Sequence, residues 1–112
     1  MRFLIYILFV LLLCSFIPQQ YTLIHINSTW NSRNDYKDLN KLEGVKIVKA
    51  NLEDQAPSIR QQIKAVPVIF IYKGSNLIGR WDADISLKIK APVEELQEVI
   101  DNSKYTRVAT ND

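Results

Sequence analysis

Beyond residue 14 the sequence contains no cysteine. Cys14 is the single thiol of the chain, and it stands inside a hydrophobic leader. Dithiol–disulfide exchange needs an attacking thiolate and a second thiol that resolves the mixed disulfide, so the chain cannot perform it alone. Internal disulfides are excluded for the same reason, and a domain exported to an oxidising compartment must here be held by core packing. Blocks of like charge are missing too. The 14 Lys and Arg and the 12 Asp and Glu are scattered, with a formal net charge of +2, which leaves no nucleic-acid footprint. Neither an internal repeat nor a low-complexity stretch is present.

What the sequence does have, at its start, is hydrocarbon. Phe3 to Ile17 is an almost unbroken apolar run. As a helix it rises about 22 Å, short of a hydrocarbon core of about 30 Å, so a cleaved secretory signal and a short uncleaved anchor both fit. Arg2 precedes the run and no Lys or Arg follows until Arg33. The positive-inside rule therefore keeps the start in the cytoplasm and exports the remainder. A small-x-small cleavage site is missing, which favours a retained anchor. Lipidation of Cys14 is disfavoured by Leu13, which stands where the bacterial lipobox requires a small residue. The expectation is a domain on the extracytoplasmic side of a membrane, or a secreted or periplasmic one if the leader is cleaved.

With 47% apolar and 23% charged residues in 112, the chain has material for one core. Residues 1–20 form the hydrophobic segment and a linker broken by Pro18, 21–102 the domain, and 103–112 a polar tail. Tyr21 to Ile26 is rich in β-branched and apolar residues and predicts a buried strand. Ser32-Arg33-Asn34-Asp35 has capping-box spacing and predicts a helix with Tyr36, Leu39 and Leu42 on its inner face, ended by Gly44. Val45 to Ala50 predicts a second strand. Pro57 to Lys64 predicts a second helix with Ile59 and Ile63 inward. Val66 to Tyr72 is the most hydrophobic run and predicts a central strand; after the turn at residues 73–76, Leu77 to Trp81 returns as its hairpin partner. Pro92 opens a last helix with Val93, Leu96, Val99 and Ile100 inward. Strand and helix alternate at first, which implies a parallel pair.

This β-α-β-α-β-β-α order, α/β with a central mixed sheet flanked by helices, resembles the thioredoxin-like superfamily. Three local matches carry the resemblance. Thr29-Trp30 before a capped helix resembles the tryptophan preceding the family's Cys-x-x-Cys. Val66-Pro67 resembles its hydrophobic-cis-proline step, and Lys73-Gly74 before an apolar strand resembles its Lys-x-Gly hairpin. Where the family has its two cysteines, this sequence has Asn31 and Asn34, whose carboxamides are neither nucleophilic nor redox-active. His25 aligns with the family's buried acid and Lys49 with the lysine that faces it. That pair carries like charges when both are protonated, which favours neutral His25. A packed, hydrogen-bonded core histidine is the expected role, ahead of a pH-sensitive element.

The resemblance implies a surface for extended peptide beside Val66-Pro67. From its own chemistry Trp30 is either a docking platform or a cover for the hydrophobic edge of the sheet, and Arg33 beside Ser32 at a helix N-terminus is either an anion or carboxylate site or, its ordinary meaning, a solvated surface arginine. The candidate partner-binding residues are thus Trp30, Asn31, Ser32, Arg33, Asn34, Val66 and Pro67, and the buried polar pair is His25 and Lys49. Asn27-Ser28-Thr29 fits an N-glycosylation sequon, and Asp82 with Asp84 forms an alternating carboxylate pair whose ordinary meaning is solvated edge charge. No catalytic residue, cofactor or metal is expected. The expected function is a redox-inactive binding module for a protein or peptide, not an enzyme. The alternatives are an oxidoreductase accessory working with cysteines of another chain, and a structural subunit of a membrane-associated assembly. Oligomeric state is not legible.

Overall fold

The computed structural model describes residues 20–110; the leader, with its expected helix, lies outside the described residues. Four strands form one mixed sheet: β1 (Tyr21–Asn27), β2 (Lys46–Asn51), β3 (Val68–Lys73) and β4 (Asn76–Asp82). Their spatial order is β2-β1-β3-β4. β1 pairs β2 in parallel and β3 antiparallel, and β3 pairs β4 antiparallel. The Val66–Pro67 peptide bond is cis. Between β3 and β4, Gly74 takes a φ of +60°, the left-handed geometry that the first position of a II′ hairpin turn requires.

Because side chains alternate across a strand, β1 feeds two cores. Tyr21 and Leu23, with Ile69 and Ile71 of β3, face Tyr36, Leu39, Val93, Leu96 and Ile100. Ile26 and Val68, backed by Ile24 and Phe70, pack with Ile63 and Val66 on the opposite face. His25 and Asn27 share the parity of Leu23, which places these two polar side chains on the first face. The long helix α2 (Val93–Thr110) covers that face, with Leu96 and Ile100 fully buried. Burial of each is worth about 1.5–3 kcal/mol. α2 runs past the boundary expected at Asn102.

Two expected helices are corrected. The helix expected from Ser32 to Gly44 is absent; the chain makes two 3-10 turns, Thr29–Asn34 and Leu39–Lys41. Its capping box does not form. Asp35 has non-helical backbone and its carboxylate accepts from Asn27 Nδ2 at 2.6 Å, while the Tyr36 N–H donates to His25 Nε2 at 3.1 Å. Asn and Asp are weak helix formers that compete for backbone groups, so side chains of β1 outbid the helical ladder. Tyr36 and Leu39 are still buried, as expected of them, and Leu42 packs against the same core. The second helix, α1 (Pro57–Arg60), is a single turn. Ile63 is buried but Ile59 is 40% exposed, so their spacing does not define one inner face.

Candidate functional site

At the C-terminal end of β1 the chain turns through Ser28 into the first 3-10 segment, and there an asparagine network replaces a hydrophobic core. Asn27 Oδ1 accepts from the Ser28 N–H at 2.9 Å and from Asn31 Nδ2 at 3.2 Å. Its own amide donates to Asn31 O and to Asp35 Oδ1. Asn31 Nδ2 also reaches Val66 O at 3.2 Å and Leu87 O at 3.1 Å, and Asn34 Nδ2 donates to Asn31 Oδ1 at 2.7 Å. Asn31 is only 3% exposed. Buried polar groups are costly unless paired, and this residue is paired with two near neighbours, Asn27 and Asn34, and with two residues distant in sequence, Val66 and Leu87.

Leu87 is the counterpart of Asn31 on the far side. It is a non-glycine residue with φ +61°, a conformation that costs about 1–3 kcal/mol. The surroundings hold it there. Its N–H donates to Asp84 O, Asp84 N–H donates to Lys88 O, and its carbonyl takes the Asn31 amide. The Asp84 carboxylate accepts from the Ser86 hydroxyl and backbone N–H and pairs with Lys90 at 3.2 Å. Those hydrogen bonds from Ser86 and Lys90 lower the Asp84 pKa to about 2.

Each expected site residue has a definite place. Trp30 is 67% exposed, and Ser32 and Arg33 beside it are exposed. Asn34 is half-buried. Asn31, Val66 and Pro67 are buried beneath them, and the Val66 carbonyl is already engaged by Asn31. The structure thus splits the expected surface into an exposed tier, Trp30, Ser32 and Arg33, and a buried tier that supports it. Ile85, fully exposed, stands two residues before Leu87.

His25 is 2% exposed and pairs in register with Lys49 on β2 and Ile69 on β3. Lys49 itself is exposed, so the expected buried pair is corrected to a buried histidine beside a solvated lysine, whose long side chain carries its ammonium out to water. Burial, only partly offset by nearby Asp35 and assisted by Lys49, lowers the His25 pKa below the ordinary 6.5. Neutral His25 keeps a lone pair on Nε2 for the Tyr36 N–H. A cleft of about 580 Å³ opens beside it, bordered by Ser32, Asp35, Lys49 and Asp54. On the other side of residues 33–35 a second cleft of about 380 Å³ lies between residues 33–38 and 88–92. The Tyr36 hydroxyl bridges that cleft's two walls by donating to Ala91 O at 2.6 Å.

The buried Asn27 amide is committed twice over, so its sequon is not presented on the folded surface. Asp82 pairs with Arg80 and Asp84 with Lys90, so these carboxylates do not share a site. Among the described residues no three His, Cys, Asp or Glu side chains converge as metal ligands, and no helix is long and apolar enough to cross a membrane.

No protein-family model matches the chain, and no curated protein matches it significantly. Its site must be understood from its own residues. Tyr36, expected only as a core residue, and Leu87 join the site unannounced by the sequence, and Asn27, expected only as a sequon, is one of its buried supports. Asn27, Asn31 and Asn34 are spaced four and three apart, the one signal that foretells their association. Nothing local marks Leu87.

Proposed function

We propose that the chain is a redox-inactive member of the thioredoxin-like superfamily, tethered to or exported across a membrane by residues 3–17, which holds a partner protein or extended peptide at the Trp30–Arg33 surface. The observation that carries this reading is the pairing of a rigid base with an exposed apolar platform. Asn31 is locked onto Val66 and Leu87, while the adjacent Trp30 is left 67% exposed. An exposed tryptophan on a preorganised backbone loses little entropy on binding, which is the economy that binding hot spots use.

Three further features support it. The strand order β2-β1-β3-β4 with one parallel pair and the cis Val66–Pro67 bond agree with the superfamily's pattern. Asn34 donates to Asn31, so the side chains at the two positions aligned with the family's cysteines are neighbours in space. His25, aligned with the family's buried acid, is instead a neutral hydrogen-bond acceptor, a role suited to structure rather than to proton delivery.

The test is a comparison of two assays on the full chain. In insulin reduction it is inactive. In affinity capture from its native membrane, wild type retains a stoichiometric partner that Trp30→Ala releases. Reductase activity, or capture unaffected by Trp30→Ala, overturns the reading.

A further inference from the structure

With residues 3–17 read as a retained membrane anchor, the tether to the domain is very short. Only Pro18 and Gln19 separate Ile17, the last residue of the apolar run, from Gln20. Three residue steps reach at most about 11 Å when fully extended. From Gln20 onward the chain is fastened to the domain. The Gly74 N–H donates to Gln20 O at 2.9 Å, and Tyr21 pairs in register with Lys73 on β3. Lys73 Nζ donates to Ser103 O of α2 at 3.3 Å, and the Lys73 and Lys104 ammonium groups stand 5.7 and 5.6 Å from the centre of the Tyr21 ring. The tether therefore has no slack to draw from the start of β1.

Strand direction fixes which surfaces this brings to the membrane. The starts of β1, β2 and β4 and the end of β3 lie together, so the Gly74–Ser75 turn and Leu77 share the tethered end. Leu77 is 50% exposed, beside exposed Gly74, Ser75 and Asn76. Charge does not select the membrane here, because Lys41, Lys46, Lys73 and Lys104 stand with Asp38, Glu43 and Asp101; the tether does. The Trp30 surface begins beyond Asn27, the last residue of β1. Six strand steps carry it roughly 20 Å from the tethered end. Ile85 and Leu87 follow the end of β4 on that same far side, where the Leu87 carbonyl takes the Asn31 amide.

We propose that the end of the domain formed by Gln20, the Gly74–Ser75 turn and Leu77 docks on the phospholipid headgroups of the membrane that holds residues 3–17. The Trp30 surface then points away from the bilayer and takes its partner segment from the aqueous phase, not from within the membrane. This orientation rests on the anchored binding-module reading and adds where the partner is met. For Trp30 to reach the headgroups, the domain has to lie down on one face of its sheet. On the α2 side that strips water from exposed Glu94, Glu95 and Glu98, a loss that charged groups do not recover against lipid.

The experiment uses the full chain in phosphatidylcholine vesicles containing a headgroup-nitroxide lipid. In a Cys14→Ser background, one thiol-reactive fluorophore is placed at Ser75→Cys or at Ile85→Cys, both exposed positions. Flotation reads attachment to the vesicles, and a circular dichroism melt matching wild type shows that each variant folds. The nitroxide is expected to quench the Ser75→Cys label several-fold more than the Ile85→Cys label. Equal quenching of the two, or none of either on a floating chain, overturns the proposal. Stronger quenching at Ile85→Cys overturns it in favour of a Trp30 surface turned to lipid. A chain that does not float overturns it together with the anchor, and leaves the Trp30 platform to partner capture. If quenching favours Ser75→Cys while Trp30→Ala still captures the partner, the orientation stands and the platform falls.

Discussion

Asn31 Nδ2 donates to the carbonyl oxygen of Val66 at 3.2 Å, across 35 positions of sequence. This bond joins the first turn after β1 to the residue preceding the cis proline. It places an amide, with four geometric commitments, where the resembled family has chemistry. A thiol at this position would offer only a weak donor in place of the carboxamide's two N–H groups.

Asn31→Ala is therefore expected to destabilise the fold by about 2–3 kcal/mol, because it orphans the buried Val66 carbonyl, the half-buried Leu87 carbonyl and part of the buried Asn27 amide. Urea denaturation of wild type and variant measures this through the shift in midpoint. Asn34→Ala, at a half-buried position with one bond, is expected to cost about 1 kcal/mol or less.

His25 sets a pH dependence whose sign follows from burial. Its folded pKa lies below the ordinary 6.5, so the unfolded chain takes up a proton more readily than the folded one. Its contribution is fully present above about pH 6.5 and is lost as pH falls below that value towards the folded pKa. Protonation also removes the lone pair that receives the Tyr36 N–H. Stability curves at successive pH values are expected to slope downward below pH 6.5 in wild type, and less steeply in His25→Gln.

Asp84 is expected to stay ionised far into the acid range, with a pKa of about 2. Carboxyl NMR titration reads this directly. Ser86→Ala removes the leading cause and is expected to bring the value back towards that of an ordinary aspartate.

Gly79 lies under the Trp81 indole. A Cβ built on it falls 2.7 Å from the ring and 3.3 Å from Val99 Cγ1. Gly79→Ala is expected to push the ring aside, weaken its N–H bond to Glu95 at 2.6 Å, and cost about 1–3 kcal/mol. A shift in tryptophan fluorescence with an earlier thermal transition checks both parts.

The strands were legible because each is a short run of β-branched and apolar residues ended by a turn signal, and the residues of the core followed from their parity. α2 was legible from Pro92 and from the spacing of Val93, Leu96 and Ile100. The helix expected after Ser32 was not there to be found. Tyr36 and Leu39 are buried equally well by 3-10 turns, and what decides between the two is non-local: acceptors and donors on His25 and Asn27, side chains of the preceding strand. For the site, the exposure of Trp30 and Arg33 agrees with what their residue types suggest. The burial of Asn31 was not visible, because it depends on carbonyls from residues 66 and 87, and nothing in the sequence around Leu87 announces a left-handed leucine.

The most direct measurement of the binding-module claim is affinity capture by the full chain from its native membrane, with wild type and Trp30→Ala compared by intact mass of the recovered complexes. A stoichiometric partner retained by wild type and lost from Trp30→Ala, with both proteins folded, is the predicted result. Equal recovery by the two would contradict it.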